Sequence, residues 1–395
     1  MNKKVIIEKL ALNGGKPIRS SYLQYGHQSF GKEEIQKVVQ VLHSDWITTG
    51  PVVKEFEEKF AKEVGAKYAV TVNSGTAALH IACLSLGLKP GDEVITTPLT
   101  FVASSNAVLY CGATPIFADI EPETYNIDPD QIQKKITKKT KGILPVHFAG
   151  HPCEMEAIHY LAKKYGLWVL EDAAHALSAQ YQGRKIGSLS EATIFSFHPV
   201  KNITTGEGGM VTTNNLNLQK KLLLYRTHGI ERSHQNDWIY DMRFLGYRFN
   251  MTEMQAALGI CQLKKLKSFQ TSRQKIVSFY QKNFAQMPEW QIPNQKEEVV
   301  SSWHLYPIQW KLAKKVSRDQ VIRALRAENI GANFHYKPVY AHSYYQKRFK
   351  IKKTDFPIAE KVTSQLISLP LFPKMTRQDV LDVVRAVKKV TAHYV

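Results

Sequence analysis

Cysteine is scarce in this 395-residue chain, and the four present, Cys83, Cys111, Cys153 and Cys261, are widely spaced with no Cys-x-x-Cys pair. That spacing argues against a disulfide framework and against a structural zinc site, so no metal is expected and a reducing cytoplasm suits the chain. Long apolar runs are also missing. None approaches the roughly 20 residues that cross a bilayer, and Lys and Glu break up the few apolar residues of Met1–Arg19, so neither a secretory signal nor a membrane anchor is expected. No internal repeat or low-complexity tract occurs. Acidic residues are in deficit, 34 Asp+Glu against 53 Lys+Arg, for a formal charge of +19. Such an excess attracts anions, whether nucleic acid, anionic lipid or a phosphorylated small molecule, and charge alone does not choose among them.

What is present is a large reserve of core-forming residues. At 44% hydrophobic content the chain can bury an extensive interior and suits about two domains. From about Phe30 to Gly229, short β-branched runs alternate with amphipathic stretches, the pattern of helices covering both faces of a mostly parallel sheet. The strand candidates are Tyr68–Val72, Glu93–Thr97, Thr114–Asp119, Gly142–His147, Leu167–Glu171, Thr193–Phe197 and Gly209–Thr213. Between them, helices fit at Glu33–Ser44, Val52–Val64, Thr76–Leu86, Phe101–Tyr110, Met155–Tyr165 and Leu216–Thr227, several ending at glycine. Thr252–Met287 keeps helical periodicity for longer than an ordinary helix and would link two domains. Beyond it, Ser302–Trp310, Asp319–Asn329, Ala332–Tyr336 and Arg377–Thr391 read as strand, helix, strand and helix. The expected division is an N-terminal arm (1–29), a large seven-stranded α/β domain (30–267) and a small C-terminal α/β domain (268–395).

Two segments carry the clearest chemistry: Trp168-Val-Leu-Glu-Asp-Ala-Ala-His175 and Phe195-Ser-Phe-His-Pro-Val-Lys-Asn-Ile-Thr-Thr-Gly-Glu-Gly-Gly209. Each puts polar groups where an apolar strand ends, and parallel sheets bind ligands outside the carboxyl ends of their strands, so Asp172 and Lys201 could meet there. A lysine that holds an aldehyde and shuttles protons, with a carboxylate that keeps a pyridine nitrogen protonated, is the pair a pyridoxal-phosphate (PLP) enzyme needs. Taken singly, Asp172 would more often cap a helix and Lys201 would more often be a solvated loop lysine. Asn73-Ser-Gly-Thr-Ala-Ala-Leu79 lies between a strand and a helix, where free N–H groups and the helix dipole attract an anion. In an alternating strand, Ser196 points away from Phe195 and Phe197, as a polar site face requires.

These segments, with Ser44-Asp-Trp-Ile-Thr-Thr-Gly-Pro51, Thr97-Pro-Leu-Thr-Phe-Val-Ala103, Gly183-Arg-Lys-Ile-Gly-Ser188 and Ser368-Leu-Pro-Leu-Phe-Pro373, resemble the DegT-type sugar aminotransferases of PLP fold type I from about Tyr25 to Pro373. The resemblance implies that Lys201 is the Schiff-base lysine and Asp172 the partner of the pyridine nitrogen. It places the cofactor phosphate at Gly75, Thr76 and Ala77 with the Ser196 hydroxyl, Phe101 against the pyridine ring, and His175 near the 3-hydroxyl. Gln24, Tyr25, Thr49, His304, Tyr306, His335 and Tyr336 fall at positions resembling substrate contacts. The family commonly has Gly-Tyr-Asn-Tyr-Arg where this chain has Gly246-Tyr-Arg-Phe-Asn250. Either Arg248 or Asn250 would then reach the cofactor phosphate of a neighbouring subunit, implying a homodimer with shared active sites.

The resemblance further implies a nucleotide-sugar substrate, L-glutamate as amino donor, and cycling of PLP through its amine form, PMP. Relatives that remove a sugar hydroxyl carry histidine at the position of Lys201, so transfer is expected here. The words around Lys201 are similar to enzymes that aminate C4 of a UDP-linked 4-keto-6-deoxy sugar; amination at C3 of a dTDP- or UDP-linked keto sugar is the alternative. A nucleic-acid surface on the basic clusters Lys134–Lys141 and Lys347–Lys353 is disfavoured, because both alternate with apolar residues and no nucleic-acid motif accompanies them. A PLP lyase or desulfurase would want a cysteine in a flexible loop, and Gly206-Glu-Gly-Gly209 lacks the Gly-Lys-Ser/Thr of a nucleotide-phosphate loop.

Overall fold

A computed structural model describes residues 8–233, 235–236 and 238–395. Seven strands form the main sheet: β1 (Tyr68–Val72), β2 (Glu93–Thr96), β3 (Thr114–Phe117), β4 (Thr140–Leu144), β5 (Trp168–Asp172), β6 (Ala192–Ser196) and β7 (Gly209–Thr213). Their spatial order is β1-β7-β6-β5-β4-β2-β3. Only β7 runs antiparallel to its neighbours, β1 and β6; the other pairs are parallel. This is the expected seven-stranded, mostly parallel α/β sheet. Because β1, β2, β5 and β6 point the same way, their carboxyl ends share one rim.

Alternation along each strand divides the core. Ala69, Ile95, Val169 and Phe195 face one hydrophobic layer with Phe56, Phe60 and Phe197; Val70, Val94, Leu170 and Ile194 face the other with Ile81, Val108 and Leu222. Each fully buried large apolar side chain is worth roughly 1.5–3 kcal/mol, so a one-residue slip would forfeit both layers at once. Gly142 of β4 is dictated by packing, since a Cβ there would lie 2.2 Å from the Trp168 ring of β5.

The long helix is Glu253–Phe284, started by a capping box of Thr252 and Gln255. Its first residue also anchors a second helix. The buried Glu253 carboxylate accepts the N–H groups of Gly50, Val52 and Val53 at 2.8–2.9 Å and so caps the helix Pro51–Val64. Gly259 brings the two helices close, for a Cβ there would meet the Phe56 ring at 2.4 Å. The far half of the long helix supplies Ile276, Val277, Tyr280 and Phe284 to a separate cluster built on Tyr306, Ile308 and Trp310. There Tyr306–Trp310 pairs antiparallel with Trp290–Gln291 and Leu366–Leu369, and Leu10 and Leu23 are buried against it.

One expected strand needs correction. Ala332–Tyr336 makes a single bridge, Asn333 to Ser368, then leaves the sheet; His335 turns its Nδ1 to the Ser368 hydroxyl at 2.9 Å and Tyr336 turns toward His175. Pro338, lacking an N–H, could not have continued the ladder. A helix not expected from the sequence, Pro129–Lys135, starts at an Asp128 cap with proline in its first turn.

Candidate active site

A cleft of about 380 Å³ opens on the rim where β1, β2, β5 and β6 end. It brings together Gly75, Thr76, Phe101, Asp172, His175, Ser196, Lys201, Tyr25, His335 and Tyr336, and adds Ser74, Thr100, Ser104 and Glu207, which the sequence reading passed over.

The end of β1 turns into the helix Gly75–Ser85, with Ser74 as its cap. The Ser74 hydroxyl accepts the Ala77 N–H at 3.1 Å. The N–H of Ala77, expected at the phosphate, is engaged by this cap, whereas the N–H groups of Gly75 and Thr76 have no acceptor among the described residues. Ser196, at the end of β6, lies directly against them: a Cβ on Gly75 would stand 2.9 Å from the Ser196 Cβ and 3.2 Å from its Oγ. Two free amides, a hydroxyl and a helix N-terminus make a cradle for a phosphate.

Asp172 is the last residue of β5 and is buried. Its Oδ2 accepts the Ser104 hydroxyl at 2.7 Å and its Oδ1 the Ala174 N–H at 3.1 Å. Burial pushes the carboxyl up; Ser104, Ala174, Lys201 and His147 pull it back only in part. The Lys201 Nζ makes no hydrogen bond or ion pair among the described residues. Burial lowers its amine to about 8 against the opposing pull of Asp172. Behind Asp172, His147 and Glu171 form a fully buried pair at 2.9 Å. His147 Nδ1 accepts the Cys153 N–H at 3.0 Å, so Nε2 carries the hydrogen that reaches Glu171. Burial raises the Glu171 carboxyl, but His147 outweighs it and the net direction is down.

On the opposite wall, the Tyr336 hydroxyl meets His175 Nε2 at 3.1 Å. Burial, with Tyr25 and Asp172, drives the phenol upward, so its O–H is the donor and His175 the acceptor. Burial, then Lys201 and His335, holds the imidazole well below its ordinary value. Its Nδ1 therefore bears the hydrogen and is buried without a partner. Phe101, more than half exposed, stands at the cleft's open side with its ring 6.0 Å from that of Tyr336.

The remaining predicted residues lie outside this cleft. His304 sits behind His175, ring centres 4.3 Å apart, and Tyr306 is interior to the second cluster, among Tyr280, Phe284 and Trp303. Gln24 and Thr49 are exposed and do not line it. Arg248 is exposed, while Asn250 has both amide atoms buried without a partner; neither reaches the cleft of its own chain.

The model of the DegT/DnrJ/EryC1/StrS aminotransferase family matches residues 28–388. The chain belongs to that family. It is a PLP-dependent sugar aminotransferase, and the residues on the rim fit the cofactor: a phosphate cradle with unused donors, a lysine without a partner and a buried carboxylate facing one cleft. The chain is 46% identical over 380 residues to the spore coat polysaccharide biosynthesis protein SpsC of Bacillus subtilis, covering 94% of this chain and 98% of that protein. Among solved structures it is similar to Helicobacter pylori PseC, an aminotransferase involved in the biosynthesis of pseudoaminic acid (TM-score 0.90, 34% identity, covering 95% of this chain and all of that one). The putative sugar aminotransferase Spr1654 of Streptococcus pneumoniae in its PMP form gives a TM-score of 0.90 at 32% identity, covering 94% and 100% of the two chains. Its PLP form gives 0.89.

Proposed function

We propose that the enzyme moves the amino group of L-glutamate to C4 of a UDP-linked 4-keto-6-deoxy-N-acetyl sugar, yielding UDP-4-amino-4,6-dideoxy-N-acetyl-β-L-altrosamine or a close relative for a cell-surface polysaccharide. The observation that carries the catalytic part is Lys201, an unpaired amine with its value lowered to about 8, on the same cleft as the buried Asp172. The words flanking Lys201, and the likeness to PseC and SpsC, support the substrate.

In this reading Gly75, Thr76 and Ser196 hold the cofactor phosphate, Phe101 covers the ring, His175 serves the 3-hydroxyl and Asp172 faces the ring nitrogen. When bound, PLP supplies an aldehyde that takes up the amino group and a ring that draws electrons from the reacting carbon. Lys201 would hold that aldehyde, and its Nζ, when free, would move the Cα proton of glutamate. An amine near 8 suits this work, because an appreciable fraction is unprotonated at neutral pH. In the second half Lys201 delivers a proton to the sugar carbon, while Tyr25, His335 and Tyr336 bound the space the sugar enters. Surplus positive charge raises the local concentration of the sugar's diphosphate.

A homodimer belongs to the same proposal: either the exposed Arg248 or Asn250, whose amide has no partner in its own chain, would serve the phosphate of a second copy's cofactor. Among the described residues no helix is long and apolar enough to cross a membrane, and we assign the enzyme to the cytoplasm. The test is product NMR on a panel of UDP- and dTDP-linked keto sugars with glutamate. Amination at C4 of the UDP sugar is expected, and amination confined to C3 would reject the regiochemistry. Borohydride trapping with peptide mapping should put the cofactor on Lys201; a label on any other lysine rejects its role.

A further inference from the structure

Asp172 is held from two directions. Its backbone is fixed by the sheet: its N–H donates to Pro145 and its carbonyl accepts from His147, at 2.9 and 3.1 Å. Its carboxylate is fixed by a neighbour that comes from a different part of the chain. Ser104, one residue into the helix Ala103–Tyr110, places its hydroxyl 2.7 Å from Oδ2, and Thr100 Oγ1 lies 3.0 Å from that hydroxyl. All three side chains are almost wholly buried and all three line the cleft.

The direction of this chain of hydroxyls follows from proton counting. An ionised carboxylate only accepts, so Ser104 must spend its single proton on Asp172, and Thr100 must then be the donor to Ser104. With Oδ1 engaged by Ala174, the carboxylate has one lone pair fixed on each oxygen, which sets its rotation and leaves an edge free toward the cleft.

We infer that Ser104, oriented by Thr100, is a positioning residue: it sets which edge of Asp172 faces the cofactor's ring nitrogen and keeps that carboxylate ionised. The inference rests on the proposed role of Asp172. Burial alone disfavours the charge on Asp172, and the Ser104 hydroxyl is the largest of the influences opposing it. The other titratable groups around the carboxylate are Lys201, His147 and Tyr336, and none is altered by changes at Ser104 or Thr100.

The experiment compares Ser104→Ala, Ser104→Thr and Thr100→Val with wild type, and with Asp172→Asn as the reference. Two quantities are read: the PLP dissociation constant of the cofactor-free protein, by fluorescence titration, and the pH dependence of visible absorbance in the loaded protein. Ser104→Ala is expected to weaken PLP binding about tenfold, the range for a hydrogen bond to a charged group, and to move the acid limb of the absorbance profile to higher pH. Ser104→Thr should restore both, and Thr100→Val should weaken binding about threefold. If Asp172→Asn weakens binding while Ser104→Ala leaves both quantities at wild-type values, the inference is overturned and the role of Asp172 stands. If Asp172→Asn also changes nothing, the role of Asp172 fails and takes the inference with it. Should Ser104→Ala not fold, the nearly isosteric Thr100→Val decides: an unchanged constant and profile overturn the inference.

Discussion

Replacing Lys201 with methionine exchanges a partly buried, unpartnered ammonium for an apolar side chain of similar length, and it should make the cofactor-free protein more stable. The amine sits at about 8 in the folded chain against 10.5 when free. Each unit corresponds to about 1.4 kcal/mol, so the charged form is disfavoured by at most about 3.5 kcal/mol, and by about half of that once solvent in the open cleft is allowed for. The sign follows from proton binding. Below pH 8 both folded and unfolded chains carry the proton and the penalty is fully present; between about 8 and 10.5 the unfolded chain binds more protons, so wild-type stability rises with pH and the penalty fades. Urea unfolding of both cofactor-free proteins at about pH 7 and about pH 9.5 measures this, and the difference between them cancels the titration of the groups that Lys201 does not influence. Methionine is expected to be more stable by about 1.5–3 kcal/mol at neutral pH, with a clear narrowing at the higher pH. A gap that is absent at neutral pH, or that does not shrink, would refute the claim that Lys201 is a desolvated amine without a partner.

Three further outcomes follow from the geometry. Gly75→Ala puts a Cβ 2.9 Å from that of Ser196, in the cradle assigned to the phosphate, and should weaken PLP binding at least about tenfold; titration of the cofactor-free protein checks it. His147→Ala leaves the fully buried Glu171 carboxylate with only the Thr193 hydroxyl as a side-chain donor at hydrogen-bond distance and the Cys153 amide without its acceptor. It should cost about 3–5 kcal/mol in urea unfolding. Gly142→Ala drives a Cβ to 2.2 Å from the Trp168 ring, and a loss of about 1–3 kcal/mol is expected by the same measurement.

The sheet was legible because its signals are local. Each strand reads as a short β-branched run, and the structure moves the expected ends by a few residues at most: β5 runs to Asp172 and not to Glu171, and β4 begins at Thr140 and stops at Leu144. Pro129–Lys135 was missed although its cap and proline are adjacent in the sequence. Where the outcome is decided at a distance, the sequence is silent. Ser104 reads as an ordinary helix hydroxyl, and its partner lies 68 positions away. Tyr306 and His304 fall in the expected strand Ser302–Trp310 and resemble substrate contacts, yet Tyr306 is inside the second cluster and His304 lies behind His175. Ala332–Tyr336 has a strand's composition, but side-chain bonds to Ser368 and His175 pull its last residues out of the ladder.

Burial also explains how His175 and His335 on the cleft, with His304 behind them, stand near its lysine without competing with it. His335 is lowered to about 3 by burial and then by Lys201. Burial likewise holds His304 well below its usual range, followed by His175 and Lys201, and His175 itself is held down by burial, Lys201 and His335. All three are thus uncharged at neutral pH and add no positive charge beside Lys201. Burial of this aromatic wall therefore leaves it uncharged, a surface of hydrogen-bonding edges beside the charged side chains Lys201, Asp172 and Glu207 that also line the cleft.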